Sequence, residues 1–292
     1  MSDKMALCGW RSDPVAVKAV LDTLPRPRLK AFRQGGWDGK TNVCLWDAAI
    51  KATGANLPAH NQNRGTCVSH GWSAGCDYLS CVEIAQLGMS LEYDPISHAC
   101  VYGMAKEIGN DLSSEDGAVG AWAAKAVSTC GVVRNSDVED TDTDDALAVK
   151  WGAHGVPADV KALAKPHLVK TVSLVTSFQA AADALANGYP VAVCSNQGFS
   201  DTRDSQGFCF PHGVWNHCML FIGVVNISGR RGLVCLQSWG QNTPGGPVVL
   251  GTAPDNSFGV DAHTADQMLS QQDSFALSAF DGFPSRKLNW LI

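Results

Sequence analysis

The chain has 292 residues, 45% of them hydrophobic and 17% charged, with a net charge of -6. That is enough apolar chain to bury a core without staples, and too little charge for a largely disordered chain. The acid excess excludes a general nucleic-acid binder, and no apolar run approaches the roughly 18 residues of a membrane span.

The first segment, MSDKMALCGWRSDPVAVKAV, lacks the uninterrupted apolar core of a secretory signal, so cytoplasmic synthesis without a signal peptide is expected. Residues 1–40 carry eight Lys/Arg against four Asp, with Pro25 and Pro27 breaking any helix and Gly35-Gly36 acting as a linker. They read as a basic N-terminal arm ahead of the main fold. From Cys67 to about Gln86, Val68, Trp72, Leu79, Val82 and Ile84 supply the bulk of a buried helix. A second helix fits Gly117–Cys130 with Gly131 as its stop, and a third fits Phe178–Asn187 with Ser177 as its cap. Strand-like runs follow at Pro190–Cys194, Cys218–Val225 and Leu233–Leu236. Helices ahead of strands imply an α+β protein: a helical lobe over about 41–135, a sheet lobe over about 165–270, and a C-terminal extension at 271–292 that ends in apolar Trp290-Leu291-Ile292. The eleven cysteines are odd in number on a large chain. They read as buried, reduced thiols, some of which could pair later if the chain ends in an extracellular particle.

Three pieces carry chemistry. Cys67 opens the long helix just after Gly65, where a helix N-terminus favours a thiolate. His217 heads the apolar strand Cys218–Val225, and Gln237-Ser238-Trp239-Gly240 closes the next one. In this order the pieces resemble the papain family of cysteine peptidases, in the style of bacterial and tailed-phage members. Asp116-Gly117 before a helix and the stretch ALANGYPVAV (184–193) extend the likeness over about 55–265. Cys67 to His217 is about 150 positions and Cys67 to Gln237 about 170, against roughly 130–150 for papain-type spacing.

The resemblance implies a papain-like two-lobed fold with a cleft between the lobes. It implies Cys67 as nucleophile, His217 as base, Gln62 with the Cys67 amide as oxyanion hole, Gln237 as the group orienting His217, and Trp239 as its shield. No metal or organic cofactor is required. The expected substrate is a protein or peptide, or a cell-wall peptide in a peptidoglycan hydrolase. Three departures stand in the site: Gln62 lies five positions before Cys67 where the family shows six, Gln237 replaces Asn, and Arg64 replaces a cysteine. A papain-fold structural component of a phage virion, docked to other virion proteins, is therefore the alternative from another class.

Other signals are weaker. Gly71-Trp72-Ser73-Ala74-Gly75 matches a hydrolase elbow without the strand that should precede it. Cys209, His212, His217 and Cys218 have zinc-like spacing, but His217 and Cys218 should face opposite ways along a strand. Asp137–Asp145, six acids in nine residues, reads as a solvated loop, and His70 as a packing residue. Asn226-Ile227-Ser228 is a glycosylation sequon, meaningful only on secretion.

Overall fold

The computed structural model describes residues 7–24, 36–87, 93–141 and 144–280. The chain enters as an extended stretch and turns into α1 (Pro14–Leu21), where Asp13 caps the N–H groups of Val15 and Ala16 and Pro14 supplies a pre-set φ. A short strand β1 (Val43–Cys44) leads into α2 (Leu45–Thr53), closed by Gly54 at φ 88°. Next comes α3 (Cys67–Leu87), followed by α4 (His98–Ile108), α5 (Gly120–Thr129), α6 (Asn135–Val138), α7 (Ala146–His154) and α8 (Ala158–Ala164). The second half alternates β2 (Val169–Leu174), α9 (Phe178–Ala186), β3 (Val191–Phe199), β4 (Pro211–Ile227), β5 (Arg230–Leu236), β6 (Ser257–Asp261), α10 (Ala262–Leu269) and β7 (Phe275–Phe280).

The strands form one sheet in the order β2-β7-β3-β4-β5-β6, with β1 added to β4. Every pairing is antiparallel. Ser228 and Gly229, both at positive φ, turn β4 back into β5. Ser228 is the last residue of the sequon, whose Asn226 amide donates to the Gly39 carbonyl.

Helix α3 is buried on all sides from Cys67 to Ala85 and lies between the other helices and β4. Its approach to the strand is close because two glycines one turn apart face it. A β-carbon on Gly71 would meet Cys218 Sγ at 2.9 Å, and one on Gly75 would meet Leu220 and Leu277 at 3.2 Å. The glycines of the hydrolase-like motif therefore serve helix–sheet packing. Ser73 sits inside the helix and donates to the His70 carbonyl, with no strand ahead of it, so the elbow reading fails.

The expected helices and strands are present with shifted ends. Gly117, at φ 105°, delays the second helix to Gly120. Strand β4 runs seventeen residues, well beyond the expected apolar core, because β3 pairs with its polar start. Two boundaries change. Residues 7–24 pack onto the fold instead of leading away from it, burying Trp10, Val17 and Val20. The sheet continues past 270, since β7 pairs with both β2 and β3. Trp290-Leu291-Ile292 lie outside the described residues.

Candidate active site

Cys67 begins α3 and is fully buried, with its sulfur accepting two backbone N–H groups, from Gly9 at 3.2 Å and from Cys218 at 3.4 Å. The second contact puts the nucleophile candidate against the residue that follows His217 in β4. Burial pushes the Cys67 thiol well above its ordinary range, and its two N–H contacts only partly offset this. The expected lowering by the helix N-terminus is overridden, because a desolvated thiolate costs more than a helix end returns.

His217 is also fully buried. Its ring stacks on Trp239 with centroids 4.5 Å apart and planes 25° apart. Neither ring nitrogen makes a hydrogen bond, so sulfur and imidazole are not joined by the hydrogen bond expected of them. Burial pushes the imidazole down to about 3, with nearby His70 adding to the effect. Both shifts favour the neutral forms of the two groups.

Gln237 does not reach His217. Its Nε2 donates to the Thr243 carbonyl, and its Oε1 accepts the Trp239 N–H at 2.6 Å. The amide thus folds back over its own turn. Gln62 is held by its neighbours as well: Nε2 donates to the carbonyls of Leu7 at 2.7 Å and Arg64 at 2.8 Å, while Oε1 accepts from Ser238 Oγ. Its backbone pairs with Ser238, fixing this loop against the Gln237–Gly240 turn.

The cleft over Cys67 is filled by the chain's own residues 7–11. The Gly9 carbonyl accepts from Ala118 N at 2.9 Å, Trp10 N donates to Asn216 O at 3.0 Å, and Arg11 N donates to Ala118 O at 2.9 Å. The strap thus bridges the start of α5 and the start of β4. Trp10 anchors it, its indole N–H donating to Asp273 Oδ2 at 2.7 Å.

Behind the loop that precedes Cys67 lies a buried cluster. Asp145 Oδ2 accepts the N–H groups of Asn63 at 2.6 Å and Arg64 at 2.9 Å, and Oδ1 accepts Thr66 Oγ1 at 2.6 Å. The same carboxylate meets His70 Nε2 at 2.9 Å and His98 Nε2 at 3.2 Å, and Asp140 meets His98 Nδ1 at 3.2 Å. Burial opposes charge on His98, but the two aspartates outweigh it and hold the imidazolium up to about 9. Burial, then the charge of His98, pushes His70 down to about 3. Neutral His70 donates through Nε2, so its Nδ1 accepts from His60 Nδ1, 3.0 Å away. Burial alone would raise Asp145, but the histidine contacts hold it well below the carboxylate range.

Asp140 and Asp145 are therefore core residues, and the solvated-loop reading fails for them; positions 142 and 143 lie outside the described residues. His70 is more than packing. His60, His98 and the strap residues Gly9 and Trp10 were not singled out from the sequence. The one available signal was the short apolar run Met5–Cys8 leading into Gly9-Trp10 between charged residues.

His70, His98 and Asp145 bring ligand atoms within 4.8 Å of one another. However, the His70 and His98 rings are stacked, 4.1 Å apart and 20° from parallel. An ion shared by both would sit off the lone pairs, which point along the ring planes, so the set is better fitted to sharing protons. The zinc-like set from the sequence does not converge: His212 is exposed, and Cys209 Sγ points to the Thr202 carbonyl.

No protein-family model matches the chain, and no curated protein matches it significantly in sequence. Solved structures match it in fold. The chain is similar to xylellain, a cysteine protease from Xylella fastidiosa, at 15% identity and a TM-score of 0.61, covering 95% of this chain and 97% of that one. The fold is papain-like. Procathepsin B S9 from Trypanosoma congolense superposes at 10% identity and a TM-score of 0.61 over 98% of this chain and 89% of its own. Bromelain from Ananas comosus does so at 14% identity and 0.51, over 81% and 98%. No helix among the described residues is long and apolar enough to cross a membrane.

Proposed function

We propose that this chain is a cysteine peptidase with Cys67 as nucleophile and His217 as base, held in this structure with its strap seated in the cleft. The observation that carries the reading is the contact between Cys67 Sγ and the Cys218 N–H, which brings the head of α3 to the residue beside His217. Departure of the strap would rehydrate the thiol and imidazole, remove the penalty on their charged forms and let the pair ionise. It would also free the Gln62 N–H that now meets the Leu7 carbonyl, giving a donor for an oxyanion. Cys67 would then attack an amide carbonyl, His217 would protonate the leaving amine, and water would release the acyl group. Trp239 stacking, rather than the Gln237 amide, would hold the imidazole ring. The substrate class is a peptide, of protein or cell wall.

A second reading is supported by the strap. It is knitted to both lobes and anchored through a buried indole–carboxyl hydrogen bond, as suits a permanently closed papain-fold component of a phage particle. The deciding experiment compares the full chain with Cys67→Ala on peptide and cell-wall substrates under reducing conditions, before and after limited proteolysis. Cys67-dependent cleavage supports the peptidase. None in any state, with Cys67 no more reactive than the other cysteines, supports the structural component.

A further inference from the structure

The strap brings a second thiol to the candidate nucleophile. Cys8 directly precedes Gly9, whose N–H points at Cys67 Sγ from 3.2 Å. In a trans peptide the hydrogen lies on the same side as the preceding Cα, which places the Cys8 Cα about 4 Å from the Cys67 sulfur. A disulfide needs its two Cα atoms roughly 4.4–6.8 Å apart, a span this approach permits. Neither residue is in a disulfide in this structure; Cys8 is half-buried and Cys67 buried.

The placement is held on both sides. Leu7 O is bound by Gln62, Gly9 O by Ala118, and Trp10 N by Asn216, so the strap cannot slide Cys8 away while it is seated. The other nearby cysteine, Cys218, meets the Cys67 sulfur through its backbone N–H. Its own sulfur lies against Gly71 on α3, and Cys194 faces it across the sheet.

We propose that Cys8 and Cys67 form a reversible disulfide on exposure to a small-molecule disulfide such as oxidised glutathione, locking the strap over the cleft. The bond rests on the strap geometry; its meaning as an off-state of a peptidase rests on the function proposed above. In the first exchange the Cys8 thiolate attacks one glutathione sulfur, the glutathione S–S bond breaks, and one glutathione thiol leaves. In the second, the Cys67 thiolate attacks the Cys8 sulfur and the second glutathione thiol leaves. Two protein thiols lose two electrons and two protons, and the small disulfide gains both. Burial pushes Cys8 up to about 11 and Cys67 higher, so exchange is slow while the strap is seated and speeds up as pH rises. The product carries no ionisable group, so the burial that disfavours both thiolates does not oppose it.

The test incubates the full reduced chain with oxidised glutathione, blocks residual thiols with iodoacetamide, and maps linkages by mass spectrometry under non-reducing conditions. A Cys8–Cys67 link that dithiothreitol reverses, and that is missing in Cys8→Ser, is the expected result. Cys8 recovered alkylated or glutathionylated beside an unlinked Cys67 would overturn the proposal, as would Cys67 joined instead to Cys218 or Cys194. The readout needs no turnover, so a protein that forms the link yet shows no Cys67-dependent cleavage before or after limited proteolysis would remove the peptidase reading and leave the disulfide standing.

Discussion

Gly9 crosses Gly65 so closely that a β-carbon at position 9 would lie 1.7 Å from the Gly65 carbonyl oxygen. Both partners are backbone, so neither can yield by turning a side chain. Gly9→Ala is therefore expected to lift the strap while leaving Cys67, His217 and Trp239 intact. Alkylation of Cys67 by iodoacetamide, followed by peptide mapping, should speed up by about tenfold or more as the seated state loses its advantage. An unchanged rate would show that something other than residues 7–11 shields the sulfur.

His98 sets one arm of the pH dependence of stability. Its folded value of about 9 lies above the ordinary 6.5, because Asp140 and Asp145 face its two nitrogens. Its stabilisation is present in full below about pH 6.5 and is lost as pH rises through about 9, a change on the order of 3 kcal/mol. Urea unfolding across pH 6–9.5 should show this fall. His98→Gln should be less stable at pH 6 and show a flatter profile above it. An equally steep profile in the variant would place the titration elsewhere.

Asp273 acts in the same direction from the other side of the strap. Its Oδ2 accepts from Trp10 Nε1 at 2.7 Å and Gly120 N at 2.8 Å, yet burial pushes the carboxyl up to about 7. A raised folded value means that the stabilisation is complete below about pH 4 and is lost as pH rises through 7. Asp273→Asn keeps a carbonyl acceptor for both donors and removes the charge. It should raise stability at pH 8 by about 2–4 kcal/mol and flatten the profile between pH 4 and 7. A lower melting temperature at pH 8 would show that the carboxylate itself is needed by Trp10.

Sequence patterns revealed what repeats locally. The apolar bulk of α3, the Ser177 cap of α9 and the β-branched runs of β3–β5 are signals carried within a few residues. Cys67, His217, Gln237 and Trp239 stood out as candidates through the order of those elements and the family resemblance that the order carries. What those residues touch depends on chain segments far away in sequence. The Gly9 contact to Cys67 spans 58 positions and the Trp10 contact to Asp273 spans 263, with no local pattern to announce either. Asp145 was misread for the same reason. A run of six acids is ordinarily solvated, and only the return of this segment behind the Asn63–Thr66 loop gives one carboxylate so many donors. The partners of the Gln237 amide, Thr243 O and Trp239 N, are a matter of local turn geometry that a motif comparison does not resolve.

The site contains two candidates for holding His217. The Gln237 amide closes its own turn through Trp239 N and Thr243 O, while the Trp239 ring covers the imidazole face. Gln237→Ala leaves a buried N–H and a buried carbonyl without partners, so it should cost about 1–3 kcal/mol of stability. If ring stacking orients His217, the same variant should keep kcat within about threefold once folded, because the imidazole has lost no contact of its own. Trp239→Ala should then lower kcat by about a hundredfold, the scale of a 1 Å misplacement of a reacting group. Nitrogen NMR of His217 reads the same difference without turnover: its titration should move up toward the ordinary 6.5 in Trp239→Ala, as water reaches the ring, and stay in place in Gln237→Ala. A His217 shift in Gln237→Ala as large as that in Trp239→Ala would return the orienting role to the amide.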